Sequence, residues 1–459
     1  MLKRMVDYTN RVCLAPMVRS GELPMRLLAL KYDCDLVWSP ELIDKKLIST
    51  TRVENTKLGT IDYIAQNNHS NNNNNAKKQA HHETVVFRKH SDETGKLILQ
   101  LGTSDPDLAV EAAQKVVQDV DGIDLNCGCP KSFSTHSGMG AELLKTPDLL
   151  CSILNNLVTK VGKPNGKPIS CKIRLLPNYE ASRKLVEQIC STTGIANLTI
   201  HCRTPIMRNR QDPIWNYLPK LIPLIESYGI SVILNGNFQS RLDLETIQQA
   251  LNNDRLSIMI AEAAESNPSV FVKSESGKSV QPQHQLINEI YEIGSKYHLY
   301  SGIKFMVMNI IPGKSKYYQK FSQSKNFEQM KKVIDELSSD EEGKSKDKIF
   351  QIMNKHCQKS NFFNDSVAFE TSVVGQRRQE IKQFFQNWNE DEMLKDLNDS
   401  PTKRTMEIPK HKEKRQKIQG GHKQQKQQNE ETFGIDADAK LEAQAVATNQ
   451  VNEQKVQAV

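Results

Sequence analysis

Long apolar runs are absent from this 459-residue chain, and no stretch reaches the roughly eighteen residues that a membrane-spanning helix needs. Aromatic residues make up only 6% and hydrophobic residues 37%, and the mean hydropathy is -0.56. These low values fit a folded body diluted by polar segments, and they exclude a membrane-spanning protein. Residues 1–8 lack the apolar core of a secretory signal, so we expect a protein of the cell interior.

A disulfide framework is not indicated either. The nine cysteines are odd in number and follow no regular spacing, which predicts reduced thiols. Cys127 and Cys129 lie close together, but one Cys-x-Cys without a second Cys or His pair is weak evidence for zinc, and we expect no metal. A single thiol at a functional site fits better. With a pKa of about 8.5, such a thiol is mostly protonated at neutral pH and can give up a proton.

The net charge of +7 comes from one segment. Residues 403–426 hold nine Lys or Arg and two acidic residues, so the rest of the chain sums to zero. The polar composition around them predicts a disordered basic tail over residues 395–459. A solvated linker, a phosphate-binding arm and a nuclear-import signal all remain open for it. An earlier polar run with five consecutive asparagines, 71–75, predicts a surface loop insertion at about residues 66–82.

Eight short apolar runs organise the first part of the chain. They cover residues 12–15, 36–38, 97–101, 122–126, 169–173, 198–201, 231–235 and 257–261. Helical patterns lie between several of them, at 106–120, 147–161, 179–193 and 242–253. Eight strand–helix units in about 260 residues predict an α/β fold of the (β/α)8 TIM-barrel type. A doubly wound open sheet is the alternative, but no glycine-rich dinucleotide fingerprint follows the first run.

A barrel brings the carboxyl ends of its strands to one mouth, where the chemistry of such folds lies. Seven of the eight runs carry polar residues at that end. Packing alone does not explain so many polar strand ends, although each of these residues taken singly has an alternative interpretation. The triplet 235–237 is either a plain turn or a loop whose glycine lets backbone approach a phosphate. Lys172 could neutralise an anionic ring or pair with a carboxylate, and a lone histidine such as His201 is by default a core residue.

Five short motifs, taken together and in order, resemble the tRNA-dihydrouridine synthases. They are Ala15-Pro16-Met17-Val18, Asn126-x-Gly128-Cys129-Pro130, Lys172-Ile173-Arg174, His201-x-Arg203-Thr204 and Asn235-Gly236. The resemblance covers residues 10–275 and, more weakly, extends to about 360. It implies an FMN-binding (β/α)8 barrel followed by a small helical domain. Residues 39–45, 137–141 and 267–271 resemble the eukaryotic, fungal-like subclass that modifies position 20 of the D-loop.

The resemblance implies three regions along the chain. The catalytic barrel takes residues 1–280, a helical tRNA-binding domain 281–394, and the disordered tail 395–459. Within the helical region, basic and aromatic side chains alternate in a way that suits an RNA backbone with exposed bases. These residues are Lys304, Phe305, Lys314, Lys316, Tyr317, Tyr318, Lys320 and Phe321. The alternative is a solvated helical face above core aromatics.

The resemblance also assigns roles to residues. Cys129 matches the proton donor, and Asn126 and Arg203 are expected to face the substrate base. The expected flavin contacts are Pro16, Met17, Val18, Gln100, Lys172 and His201, and the expected phosphate site is Asn235, Gly236, Asn237, Ala261 and Glu262. Because an acidic side chain repels phosphate, the contact at Glu262 is expected through its backbone N–H.

The implied activity is reduction of the C5=C6 bond of a tRNA uridine, with FMN as cofactor and NADPH or NADH as the reductant. The implied protein is a monomer that binds tRNA, needs no metal or membrane, and works in the cytoplasm and also the nucleus. Two alternatives belong to other classes. One is a flavin barrel acting on a small molecule, such as a dihydroorotate or enoate reductase. The other is a non-catalytic tRNA-binding protein.

Overall fold

Eight parallel strands close into a barrel in the computed structural model, which describes residues 6–66, 83–343, 346–350 and 373–395. The last barrel strand pairs with the first, Val12 lying opposite Ile258. All eight predicted runs are barrel strands, so the predicted fold is confirmed. The barrel strands are β1 (Val12–Leu14), β2 (Leu36–Ile43), β6 (Leu97–Gly102), β7 (Gly122–Cys127), β8 (Ile169–Arg174), β9 (Asn197–His201), β10 (Ser231–Asn235) and β11 (Ser257–Ile260).

A second, antiparallel sheet lies between β2 and β6 in the sequence and was not predicted. It contains β3 (Thr50–Asn55), β4 (Thr60–Gln66) and β5 (Glu83–His90). Val53 is the only apolar residue of β3, so this strand lacks the apolar run that marked the barrel strands. Arg52 of this sheet bonds to Asp119 at 2.7 Å and thereby ties the sheet to the barrel. The predicted insertion at 66–82 falls between β4 and β5, and residues 67–82 lie outside the described residues.

Helices cover the outside of the barrel. They are α1 (Leu23–Lys31), α2 (Asp44–Ile48), α3 (Pro106–Val116), α4 (Ser132–Thr135), α5 (Pro147–Leu157), α6 (Lys163–Asn165), α7 (Tyr179–Thr193), α8 (Leu218–Glu226), α9 (Leu242–Leu251) and α10 (Glu262–Ser266). The four predicted helices correspond to α3, α5, α7 and α9. The α3 helix ends before its predicted limit, and α5 continues as a π-helical turn at Val158–Gly162.

The barrel interior is apolar at its amino-terminal end and polar towards its mouth. At the amino-terminal end, Tyr8 and Trp38 are both buried, with ring centroids 6.3 Å apart. Further along, Gln100, Asp124 and Ser170 are buried polar residues on β6, β7 and β8. Buried polar groups are costly unless they are hydrogen-bonded, so this layer marks the part of the barrel that is built for more than packing.

The region after the barrel is helical, as predicted. It contains α11 (Gln283–Tyr297), α12 (Tyr300–Ile310), α13 (Tyr317–Gln323), α14 (Phe327–Ser339), α15 (Val373–Gln386) and α16 (Glu390–Lys395). Arg19, next to the barrel mouth, stacks over Phe305 of α12 at 4.0 Å. Asn309 of the same helix donates to Glu265 of α10 at 2.9 Å. These contacts pack α12 directly against the loops of the mouth.

The predicted exposed pattern of aromatic and basic residues is wrong in part. Tyr317 and Phe321 are buried core residues, exposed by only 1% and 0%, so they are not free to stack on bases. Lys316 and Lys320 form ion pairs with acidic residues of the same region, and Lys304 donates to the carbonyls of Ser322 and Ser324. Tyr318, in contrast, is exposed. Helix packing therefore accounts for most of this pattern.

The last two described helices pack back onto the barrel. Trp388 donates its indole N–H to the Asn216 carbonyl at 2.9 Å, and Arg378 of α15 donates to Thr246 of α9 at 2.6 Å. The Trp215 ring lies against Phe384 and Phe385, with centroids 5.5 and 6.1 Å away. The proposed division at residues 280 and 281 stays a prediction, and the tail lies outside the described residues apart from its first residue, Lys395.

One buried ion pair is expected to contribute strongly to the free energy of unfolding. Arg26 Nε lies 2.6 Å from Glu93 Oε1, and both side chains are almost fully buried. Because Glu93→Gln leaves a buried guanidinium without its counter-charge, we expect the free energy of unfolding to fall by about 3–5 kcal/mol in urea titrations. Glu328→Gln is the control, since its partner Lys332 is exposed and the expected loss is at most about 1 kcal/mol. Equal losses would contradict this interpretation.

Candidate active site at the barrel mouth

Every predicted site residue lies at the carboxyl end of a barrel strand or in the loop that follows it. The residues are Pro16, Met17 and Val18 after β1; Gln100 in β6; Asn126 in β7 and Cys129 after it; Lys172 in β8; His201 at the end of β9 and Arg203 after it; Asn235 at the end of β10, then Gly236 and Asn237; and Ala261 and Glu262 after β11. Because all eight strands are parallel, these ends share one mouth. At its rim, Val18 is 49% exposed.

A buried carboxyl group organises the interior just below the mouth. Asp124 accepts hydrogen bonds from Gln100 Nε2 at 2.9 Å and from Ser170 Oγ at 2.7 Å. Burial raises the pKa of Asp124 to about 6, although both hydrogen bonds and the nearby Lys172 ammonium oppose the rise. Asp124 also fixes the Gln100 amide with its NH2 group towards the interior. Neither Asp124 nor this role was predicted.

Basic side chains crowd the mouth. Burial, followed by repulsion from Arg174, lowers the pKa of Lys172 to about 8. Burial and the cations Lys172, Arg174 and Arg203 depress the pKa of His201 far below its usual range, so His201 is neutral at pH 7. Each group resists further positive charge because of its neighbours. A bound anion would relieve this repulsion, so the donor set fits a phosphate-bearing ligand or an anionic ring.

Arg203, which is predicted to face the substrate base, bonds mainly to its own loop. It is 3% exposed, and its Nε and Nη2 donate to the carbonyls of Gln211 and Asn209, both at 2.9 Å. Its Nη1 lies 3.3 Å from His201 Nε2. With three nitrogens engaged inside the protein, Arg203 shapes the loop over residues 204–211.

Arg174, which was not predicted as a site residue, links two loops of the mouth. Its Nε donates to the Gly128 carbonyl at 2.9 Å, and its Nη1 donates to the Thr204 carbonyl at 2.8 Å. The first carbonyl belongs to the loop that carries Cys129, and the second to the loop that Arg203 shapes. On that second loop, Ile206 is 81% exposed, and Arg208 and Arg210 are exposed as well.

Cys129 differs from the other cysteines of the described residues because it alone is not buried. The Asn126 Oδ1 atom accepts hydrogen bonds from the backbone N–H groups of Gly128 at 3.0 Å and Cys129 at 3.1 Å, which holds the loop. Burial, followed by the charge of Glu41, raises the pKa of Cys129 to about 11. Its thiol is therefore protonated at neutral pH. Cys127 is fully buried, so the two sulfurs do not share an accessible site.

The turn after β10 has the shape expected of a close backbone approach. Gly236 has a φ of 151°, and a Cβ there would lie 3.2 Å from the Cβ of Cys202. Asn237 adopts a left-handed conformation with a φ of 63°. Asn235 Nδ2 donates to the Met259 carbonyl at 2.9 Å and so joins β10 to β11. Glu262 is exposed and starts a helix of five residues.

The comparisons with known proteins agree with this site. The family model described as dihydrouridine synthase (Dus) matches residues 13–354. The chain belongs to the dihydrouridine synthase family. It is 44% identical over 340 residues to tRNA-dihydrouridine(20) synthase [NAD(P)+] of Saccharomyces cerevisiae, covering 73% of this chain and 86% of that protein. The Schizosaccharomyces pombe protein of the same name is 41% identical over 336 residues, covering 72% of this chain and 66% of that protein.

More distant relatives include human tRNA-dihydrouridine(20a/20b) synthase [NAD(P)+]-like, 28% identical over 265 residues, with 58% of this chain and 71% of that protein covered. The solved structure of a morphinone reductase mutant has a TM-score of 0.34 at 10% identity and covers 57% of this chain and 85% of its own, which is too distant to support an argument. The family resemblance seen in the sequence motifs is thus confirmed. The roles of single residues in this dihydrouridine synthase remain predictions.

Within the described ranges, no helix is both long and apolar enough to cross a membrane. Over the same residues, no group of three or more His, Cys, Asp or Glu side chains is placed to hold a metal ion.

A glycine pair tests how tightly the Cys129 loop is held. Gly140 and Gly166 both have a φ near 60°, so an alanine at either position adds a left-handed strain of about 1–2 kcal/mol. At Gly140 the new Cβ would lie 2.5 Å from Ser134 Oγ and 2.6 Å from the Cys129 carbonyl, whereas nothing lies within 4 Å at Gly166. We therefore expect Gly140→Ala to change the rate of Cys129 alkylation by iodoacetamide and Gly166→Ala to leave it unchanged. Unaltered alkylation in both variants would show that the loop tolerates displacement.

Proposed function

We propose that this chain is a tRNA-dihydrouridine synthase that reduces the C5=C6 bond of uridine 20 in the D-loop, using NADPH or NADH, with Cys129 as the proton donor. The observation that carries the proposal is the Cys129 thiol, which is kept protonated at the mouth of a basic barrel. The fungal relatives at 44% and 41% identity, both named tRNA-dihydrouridine(20) synthase [NAD(P)+], support the substrate and the reductant.

The residues of the mouth suit FMN. Gln100, Lys172 and His201 would hold the ring and ribityl chain together with the β1 loop over residues 16–18, and the triplet 235–237 with the backbone at 261–262 would hold the phosphate. The chemistry that FMN held there would supply is hydride transfer from the nicotinamide to C6 of the uracil. Support comes from the mutual repulsion of the cations, which an anionic ligand relieves.

The chain's own residues then handle the proton and the position of the base. The Cys129 thiol gives its proton to C5 as general acid, and the Asn126 amide oxygen keeps that loop in place. Lys172 supplies a positive charge beside the reacting groups. A uridine inside folded tRNA must be flipped out to reach the mouth, which costs stacking energy. The exposed Ile206, Arg208 and Arg210 suit contacts with the surrounding RNA.

The remaining features of the proposal concern partners and location. The protein acts as a monomer on tRNA, in the cytoplasm and in the nucleus. The basic stretch 403–426 supplies either extra attraction for RNA phosphates or a nuclear-import signal.

Replacement of the proton donor gives the direct test. Cys129→Ala is expected to retain bound FMN and its reduction by NADPH but to lose dihydrouridine formation by about 10²- to 10⁴-fold, as judged by mass mapping of tRNA. Cys127→Ala is the matched control, because this buried thiol has no part in the reaction, and its effect on turnover is expected to be mild. Equal losses in both variants would sink the assignment, and reduction of free uridine or orotate without RNA would favour a small-molecule reductase.

Removal of the tail separates RNA affinity from chemistry. A chain without residues 396–459 is expected to keep its flavin content and its single-turnover rate on saturating tRNA. Its apparent KM should rise, and the log–log salt dependence of KM should flatten by roughly 0.7–0.9 for each lost phosphate contact. A full-length chain with the nine basic residues of 403–426 changed to Gln should behave the same way. An unchanged salt slope in both would show that the tail does not contact tRNA.

A further inference from the structure

We propose that Glu41 returns a proton to Cys129 after each turnover, so that the thiol is restored as an acid for the next uridine. This inference rests on the proposed function, and it gives Glu41 a role that acts through Cys129 rather than on the substrate. Glu41 was part of a stretch that marked only family subclass in the sequence.

The structure builds a specific place for the Glu41 carboxyl group. Glu41 follows a register irregularity of β2 that starts at Trp38 and turns the strand at the mouth. On the neighbouring strand, a Cβ at Gly102 would lie 2.5 Å from Glu41 Oε1, so any side chain at position 102 would displace the Glu41 carboxyl group. Ser134 Oγ donates to the same Oε1 atom at 3.0 Å.

The second oxygen of this carboxyl group is what points to proton transfer. Glu41 Oε2 is buried and has no hydrogen-bond partner among the described residues. Burial of a charged carboxylate with an unpartnered oxygen costs much free energy, whereas burial of the protonated carboxyl group costs far less. Burial accordingly raises the pKa of Glu41, despite interactions with Ser134, Cys129 and Asn126 that oppose the rise. The carboxyl group is therefore suited to hold a proton next to the thiol.

Glu41 and Cys129 influence each other directly. A Cβ at Gly140 would lie 2.5 Å from Ser134 Oγ, the donor to Glu41, and 3.1 Å from the Cys129 Cβ, which places Glu41 and Cys129 around the same point. Burial, followed by the Glu41 charge, raises the pKa of the Cys129 thiol. From β8, the cations Lys172 and Arg174 also act on Cys129 and favour its thiolate. A thiolate and a carboxylate side by side in a low dielectric repel each other. Once the thiol has lost its proton, transfer of the Glu41 proton to sulfur therefore replaces the thiolate without leaving two negative charges together.

The proton balance closes without any change of oxidation state in this step. The Cys129 S–H bond breaks as the C5–H bond of the product forms, which leaves a thiolate. The O–H bond of Glu41 then breaks and a new S–H bond forms, with the electron pair of that O–H bond left on the carboxylate. Solvent supplies one proton to Glu41 once the product has left the mouth, equal to the one proton that each reduced uridine consumes.

Glu41→Gln tests the relay because glutamine keeps the shape and the acceptor for Ser134 but carries no acidic proton. With enzyme reduced beforehand and freed of nicotinamide, the first turnover on excess tRNA is expected at the wild-type rate, because the thiol starts protonated. Steady-state turnover with NADPH is expected to fall about tenfold or more and to recover in concentrated imidazole buffer, a small external acid. Glu142→Gln is the control and should resemble wild type, because Glu142 lies in the turn at 140–145 and is paired with Lys145.

Two outcomes would overturn the relay. Wild-type steady-state turnover in Glu41→Gln would show that no proton passes through it. A first turnover slowed as much as the later ones, without recovery in imidazole, would mean that Glu41 only holds the loop. If the wild-type protein forms no dihydrouridine on any tRNA, the proposed function fails instead, and a second measurement still tests the coupling.

That second measurement is alkylation of Cys129 by iodoacetamide as a function of pH, read by mass spectrometry. Removal of the Glu41 charge leaves Lys172 and Arg174 as the charged groups acting on the thiol, so the midpoint should move to lower pH in Glu41→Gln. Glu142→Gln should leave the midpoint in place. An unmoved midpoint in Glu41→Gln would contradict the coupling on which the relay depends.

Discussion

One buried carboxyl group, Asp124, balances the positive charge that β8 and β9 bring to the barrel mouth. Lys172 already has its pKa lowered to about 8 by burial and by Arg174, and loss of the Asp124 carboxylate would lower it further. The same carboxyl group orients Gln100 through a hydrogen bond of 2.9 Å. The charge state and the orientation of the predicted flavin contacts therefore depend on a residue that was not among the predicted contacts.

Burial has opposite chemical consequences on the two sides of this mouth. It makes His201 neutral and weakens the hold of Lys172 on its proton, since both are bases whose charged form is costly in a low dielectric. For Cys129 it disfavours the thiolate, and Glu41 adds to that effect. Burial thus leaves the basic side chains of the mouth suited to bind an anion, and it also leaves the Cys129 thiol protonated.

The sequence predicted the barrel because buried parallel strands are apolar runs that need no knowledge of their partners. The strand β3 was missed because Val53 is its only apolar residue, whereas β5 was missed although it holds the apolar run Val85-Val86-Phe87 beside the polar insertion. Strand ends located the mouth, but not what each polar side chain there contacts. Arg203 has a residue type that suits a substrate, yet it holds backbone carbonyls, and Tyr317 fits both a base-stacking surface and a helix core. Glu41 was missed because the sequence cannot show that its Oε2 atom is buried without a hydrogen-bond partner among the described residues.

The two arginines of the mouth explain why the site suits a macromolecular substrate. Arg174 bonds the carbonyls of Gly128 and Thr204, so one side chain holds both the loop that carries Cys129 and the loop that presents Ile206 to solvent. Arg203 fixes the far end of that second loop. The side chain of Arg174 thus holds both loops, as expected where surrounding RNA and a single flipped base must be positioned together.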